Sequence, residues 1–261
     1  MLNKKMLYLK KLKYLKKLYF KPHGSGTVGM TWKNHHSSFF KFLSKDFKNL
    51  VIEIGGGHNS VSESIGLSGF KKNYKLISFD PNGKKYANPN HFIVKDFFSK
   101  KYVKKYKDRV SLVIHSHLFE HIYDPNNFLI DINNSLKIGG LHIFSVPNLK
   151  FMIKNGYSNA MNFEHPYFLE ESMIDYLLKK NGFKILKKKK YLNHSIFYKT
   201  KKTTNNPKKI NVYRKFEVNK RLFKNYYKNL KKDVNLINKK IKTYQNVFLF
   251  GAHIFSQMLH F

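Results

Sequence analysis

The sequence predicts an α/β fold: a doubly wound sheet, mostly parallel, that finishes on an antiparallel strand. Three observations predict it. From residue 50 onward, short apolar runs rich in β-branched residues alternate with segments of helical pattern. The first of these runs leads directly into a cluster of glycines. Further on, a helix, a glycine stop and two consecutive strand-like runs replace the alternation.

The elements follow in order. "LVIEI" is the first strand and reaches "GGGHNS", after which "SVSESIGLSGF" continues as a helix. "KLISFD" is a second strand ending on Asp80, with "PNGKKYANPN" as loop, and "HFIVKD" is a third ending on Asp96. A lysine-rich helical stretch precedes the fourth strand, "VSLVIHS". "DPNNFLIDINNSLKIGG" carries an N-cap residue and a proline at the first helical position, and it is expected to remain helical up to its glycines. "LHIFSVPN" is the fifth strand. "LEESMIDYLLKKNGFKILKKKKYL" then supplies a helix, a stop and a strand, and "HSIFYKT" the last, antiparallel strand. "KKTTNNPKK" reads as a linker, residues 212 to 242 as a long lysine-rich helix, and "VFLFGAH" as a strand turning into a helix.

Residues 1–45 are expected to form an N-terminal helical segment packing on the core, 46–200 the main domain, and 201–261 an appendage that could join copies of the chain. In "MLNKKMLYLKKLKYLKKLYFK", Leu9, Leu12, Leu15 and Leu18 recur every three residues, which drifts around a helix instead of forming one stripe. A helix lying on the core with its lysines in water is the expectation; contact with a membrane surface is the alternative. No apolar run approaches the roughly 20 residues of a membrane span.

The 261 residues are 42% hydrophobic and 16% aromatic, enough for a substantial core. Cysteine is absent, which excludes disulfides, thiolate metal sites and cysteine nucleophiles, and is compatible with a reducing cytoplasm. The formal net charge is +35. A field of that sign attracts polyanions, nucleic acid and phosphorylated metabolites included. The lysines are nevertheless spread along the chain, in a composition rich in Asn, Ile, Phe and Tyr, so the charge by itself does not define a binding face.

In open parallel sheets, ligands lie beyond the carboxyl ends of the strands. Glu53 to Asn59, Asp80, Asp96 and His115 to His121 all fall at such ends. A glycine turn allows close approach to the backbone, a carboxylate ending the second strand suits the paired hydroxyls of a ribose, and Asp96 can accept from an exocyclic amine. These demands describe a nucleoside cofactor. The turn reads G-G-G-H-N-S instead of G-x-G-x-x-G, which argues against a nicotinamide dinucleotide.

"VIEIGGGHNS", "SFDPN", "VKDFF" and "SLVIHSHLFEHIYDPNNFLIDINNSLKIGGLHIFSVPN" resemble the ordered motifs of class I S-adenosylmethionine-dependent methyltransferases, which have a Rossmann-like fold. "NFEHPYFLEESMIDYLLKKNGF" is similar to the following segment of members acting on small molecules, sugars and surface-polysaccharide (capsule) precursors. The resemblance implies S-adenosyl-L-methionine as cofactor, with Glu53, Gly55 and Gly57 along its methionine and ribose part and Asp80 on the ribose hydroxyls. It places Asp96 and Phe97 at the adenine, and His117 beside the cofactor. His121, His165 and Glu164 become the catalytic candidates around the acceptor, because an acceptor hydroxyl must lose a proton as the methyl arrives and histidine titrates near neutrality. Methyl transfer from a sulfonium needs no metal, and close spacing on a loop is not ligand geometry, so no metal is expected. His35 and His36, in "TWKNHHSSFF", precede the first strand where related enzymes close over the cofactor, and Trp32 is expected as packing.

Related sugar carbon-methyltransferases often carry a cysteine-rich zinc module and continue into a second nucleotide-fold unit; this chain lacks the first and shows only a beginning of the second. The expectation is therefore methyl transfer to oxygen or nitrogen of a small anionic acceptor. An RNA methyltransferase is an alternative, argued against by the absence of an N-P-P-Y-like motif after the fourth strand. A non-catalytic cofactor-binding subunit is another.

Overall fold

A computed structural model of the chain describes residues 29–57, 60–70, 73–85, 87–160, 164–167, 169–204 and 215–248. The leucine-spaced basic segment and most of the "VFLFGAH" run lie outside these residues.

The described elements begin with α1 (Met30–Leu43) and β1 (Asn49–Ile54), followed by α2 (Ser60–Leu67), β2 (Tyr74–Phe79) and β3 (His91–Val94). They continue through α3 (Lys100–Tyr106), β4 (Val110–Ser116), α4 (Pro125–Ser135), β5 (Leu136–Pro147) and α5 (Leu149–Lys154). Then come α6 (Glu171–Lys180), β6 (Phe183–Tyr191), β7 (Ser195–Lys202) and α7 (Phe216–Ile241). The strands form one seven-stranded sheet in the order β3-β2-β1-β4-β5-β7-β6. The neighbours from β3 to β5 pair in parallel, whereas β7 is antiparallel to both β5 and β6. This is the predicted doubly wound sheet with its antiparallel edge.

The inner strands β1, β2, β4 and β5 are buried on both faces along most of their length, which is why they read as continuous apolar runs, whereas the edge strand β6 is largely exposed. Side chains alternate between the faces: Ile52, Ile54, Val113 and Phe144 enter a core with Leu129, Ile132, Ile174 and Leu178 of α4 and α6. Val51, Leu112, Ile114 and Ile143 enter the opposite core with Phe39, Phe40 and Leu43 of α1 and Val61 and Ile65 of α2. A third, smaller cluster joins Leu149 and Ile153 of α5 to Tyr226 and Leu230 of α7.

One boundary departs from expectation. The helix begun by Asp124, whose side chain accepts from Asn127 N–H at 3.0 Å, ends at Ser135 and not at the glycines. Leu136, fully buried, already pairs with Val110, and Gly139 takes φ +74° within the strand. Burial of Leu136 and the left-handed backbone open to glycine outweigh the helical pattern.

Candidate active site

The parallel strands deliver their polar residues to one end of the sheet. Glu53 closes β1 but is buried under the glycine turn, its Oε2 accepting from Ser78 Oγ at 2.6 Å. Ser78 Oγ also lies 2.8 Å from His91 Nε2, and His91 Nδ1 lies 2.6 Å from Ser62 Oγ. With Ser78 donating to the carboxylate, His91 must donate through Nε2 and accept at Nδ1. Burial raises the Glu53 carboxyl to about 7, with the Ser78 hydrogen bond opposing and the Asp80 charge adding to the rise. A Cβ on Gly56 would stand 2.2 Å from Glu53 Oε2, so only glycine lets the turn lie over this carboxylate.

Asp80 follows β2, half-buried. Its Oδ2 accepts from Gly57 N–H at 2.9 Å and its Oδ1 from Asn82 N–H at 2.7 Å. Each carboxylate oxygen keeps acceptor capacity beyond these bonds. Gly55 is exposed with φ +78°, at the top of β1, and Leu118 from the β4 loop approaches it. The exposed glycine backbone next to a held, half-buried carboxylate fits the sugar and chain of a nucleoside cofactor. Asp96, past β3, is bonded to Phe97 N–H at 2.8 Å, Lys101 Nζ at 2.6 Å and Tyr102 OH at 2.9 Å, and these donors hold its carboxyl below the usual range. Phe97 is half-buried beside it.

The loop after β4 splits into two clusters. His121 Nδ1 lies 3.7 Å from Glu164 Oε2, and its ring meets that of His165 edge-on at 4.7 Å. The fold thus brings together the predicted catalytic candidates from distant positions. Burial, then the neighbouring His121, lowers His165 to about 4. Glu120, buried, faces His117 Nδ1 at 3.4 Å. Burial works to raise its carboxyl, but His117 and His121 outweigh it and hold it below the ordinary value.

His117 belongs to the second cluster, on the side of β5 and β7. Its Nε2 lies 2.8 Å from Ser195 Oγ, and its ring is 4.8 Å from Trp32, 5.1 Å from His35 and 5.3 Å from His194. His36 stacks on Trp32 at 5.8 Å. Trp32 is packing, as expected, but packing among imidazoles. A site role for His194 and Ser195 escaped the sequence reading; the turn between β6 and β7 that carries His194, and the start of β7 at Ser195, had no motif to mark them. One ring nitrogen each of His35, His117 and His194 lie within 4.8 Å of one another, as do ligand atoms of Glu120, His121 and His165.

A family model described as "Methyltransferase domain" matches residues 34–188, more than half of the chain. The chain belongs to the methyltransferase domain family. The methyltransferase is similar in fold to a methyltransferase of Archaeoglobus fulgidus described as SAM-dependent, with TM-score 0.50, 16% identity, and coverage of 65% of this chain and 94% of the other. A magnesium protoporphyrin IX methyltransferase of Synechocystis, solved with bound SAH, gives TM-score 0.51 and 14% identity over 74% of this chain and 95% of the other. A search of curated proteins finds no match to this methyltransferase.

Proposed function

We propose that the protein transfers a methyl group from S-adenosyl-L-methionine to an oxygen, or nitrogen, of a small anionic acceptor such as a nucleotide-linked or phosphorylated sugar precursor of a surface polysaccharide. The observation carrying this reading is the Asp80 carboxylate held beside the exposed Gly55 turn at the ends of β1 and β2. When bound, the cofactor supplies a methyl carbon on a sulfonium, already activated toward attack. Asp80 holds the ribose hydroxyls, Glu53 supports the Gly55–Gly57 turn from beneath, and Asp96 with Phe97 borders the adenine.

His121, Glu164 and His165 face the acceptor side. Glu164 orients His121, whose imidazole takes the acceptor's proton as the new O–C bond forms and the S–C bond breaks. His165, depressed to about 4, stays neutral near pH 7 and serves as a hydrogen-bonding partner for the acceptor. The +35 charge steers an anionic acceptor toward the protein. The resemblance of the "NFEHPYFLEES" segment to sugar and capsule methyltransferases supports the acceptor class. Absence of cysteine suits work in the reducing cytoplasm. Among the described residues, no helix is long and apolar enough to cross a membrane.

The test is a screen with S-adenosylmethionine labelled in its methyl group, offered nucleotide sugars, phosphorylated metabolites and RNA. Label appearing in a phosphorylated small molecule is the expected result. Incorporation into RNA alone, or into nothing, would overturn the acceptor assignment.

A further inference from the structure

Four imidazoles crowd around Trp32, and three of them show a pattern that packing alone does not require. His35 is fully buried, yet its Nδ1 has no hydrogen-bond partner, while its Nε2 lies 3.1 Å from Ser145 Oγ. An unsatisfied buried nitrogen is costly and calls for an explanation. His194 has Nδ1 2.5 Å from Ser195 Oγ, and His117 has Nδ1 3.4 Å from the buried carboxylate of Glu120. His35 and His194 are therefore each held through one nitrogen by a serine, leaving the other, whereas His117 is held at Nδ1 by Glu120 and contacts Ser195 Oγ through Nε2 at 2.8 Å, a contact that an incoming ion would replace. That is how metal-binding histidines are oriented, with the outer N–H tied to a second residue. His117 also sits at φ +48°, a left-handed conformation uncommon for a residue with a Cβ, with its N–H donating to Ser145 O at 3.0 Å. Backbone held in such a region tends to mark sites where a side chain must be aimed.

We propose that His35, His117 and His194 bind a divalent transition metal of the Zn(II) class. Three imidazoles are a complete protein ligand set for a catalytic zinc, with a fourth position left for water or substrate. Their ligand atoms now lie within 4.8 Å of one another, and a tetrahedral ion with bonds of about 2.0–2.1 Å would draw them to about 3.4 Å apart. Half-buried His117 and His194 can make that adjustment by side-chain rotation. The fourth position would take an acceptor oxygen or its water. That role rests on the methyltransferase reading; metal binding itself does not.

The experiment uses the tag-free full chain, stripped with chelator and titrated with Co(II), followed by its visible absorption and by competition with Zn(II). The expected result is one Co(II) per chain with the intense bands of a four-coordinate ion, displaced by Zn(II). Affinity should fall at least tenfold in His194→Ala and in His35→Gln, and stay within threefold of the parent in His165→Ala. S-adenosylhomocysteine binding, measured on the same variants, should persist and certifies that they are folded. Absence of binding overturns the proposal. So does binding that survives both His194→Ala and His35→Gln, or that is lost in His165→Ala, which would move the ion to the Glu120, His121 and His165 group. Co(II) bound by a chain that fails to bind S-adenosylhomocysteine would leave the metal site standing and remove the cofactor reading.

Discussion

At residue scale, the site is a set of short distances that leave little room for change. Gly57 shows this most directly, since a Cβ there would stand 2.7 Å from Asp80 Cγ. Gly57→Ala must push the carboxylate off the turn that it accepts from. The expected cost is about 1–3 kcal/mol of stability, as for other overpacked sites, with at least tenfold weaker S-adenosylhomocysteine binding. Urea unfolding and titration calorimetry measure the two effects; an unchanged affinity would separate Asp80 from the cofactor. His121→Ala, in contrast, should leave that affinity intact and lower kcat by about 10²–10⁴ if the imidazole takes the proton. Glu164→Gln should show a smaller loss in the same direction. A kcat that is unaffected in both would return the pair to a structural role.

At the scale of elements, α7 is tied to the rest through one small apolar cluster. It buries Tyr226 and Leu230 against Leu149, Ile153 and Ala160, and Tyr226 OH donates to Tyr157 O at 2.8 Å. Truncating a large buried aromatic costs about 3–5 kcal/mol, more than this small cluster can lose and stay docked. Tyr226→Ala is therefore expected to speed amide exchange throughout α7 while leaving β1 and β4 protected. Unaltered exchange in α7 would show that the cluster is not what holds it.

The strands and the final antiparallel one were legible because inner strands buried on both faces leave unbroken apolar runs, and because Asp80 stands where such a run ends; the order β3-β2-β1-β4-β5-β7-β6 comes from the structure. The end of α4 was not legible, since the burial of Leu136 depends on β4 beside it. Nor was the tie of Asp96 to Lys101 and Tyr102, which belongs to the turn of α3. The union of His35, His117 and His194 comes from three separate elements and only folding brings it about. Sequence spacing carries periodicity well and long-range convergence poorly.

At the scale of the whole molecule, titration of buried groups sets the response to acid. Burial lowers His91 to about 4, His142 to about 3 and His165 to about 4. His91 faces Ser62 and, through Ser78, Glu53; His142 faces His115, Phe144 and Phe183; His165 faces His121. These groups are neutral in both states above about 6.5, the ordinary histidine value. Below it, the unfolded chain takes up protons that the folded chain refuses, so stability falls as pH drops toward 4. Glu53, raised to about 7, acts in the opposite sense between 4.5 and 7, because there the folded chain holds a proton that the unfolded chain releases. Three imidazoles against one carboxyl make the fall prevail. The melting temperature should be lower at pH 5 than at pH 7, and a rise would contradict the assignment of these histidines as buried and neutral. With a net charge of +35, added salt should raise the melting temperature by screening self-repulsion.

The central claim is that an adenosyl sulfonium lies across the carboxyl ends of the first parallel strands, and titration calorimetry with S-adenosylhomocysteine tests it most directly. The parent chain should bind one equivalent, and Asp80→Ala should lose at least a hundredfold in affinity while keeping its fold by circular dichroism. A folded parent that releases no heat and shows no shift in melting temperature at millimolar ligand would contradict the account.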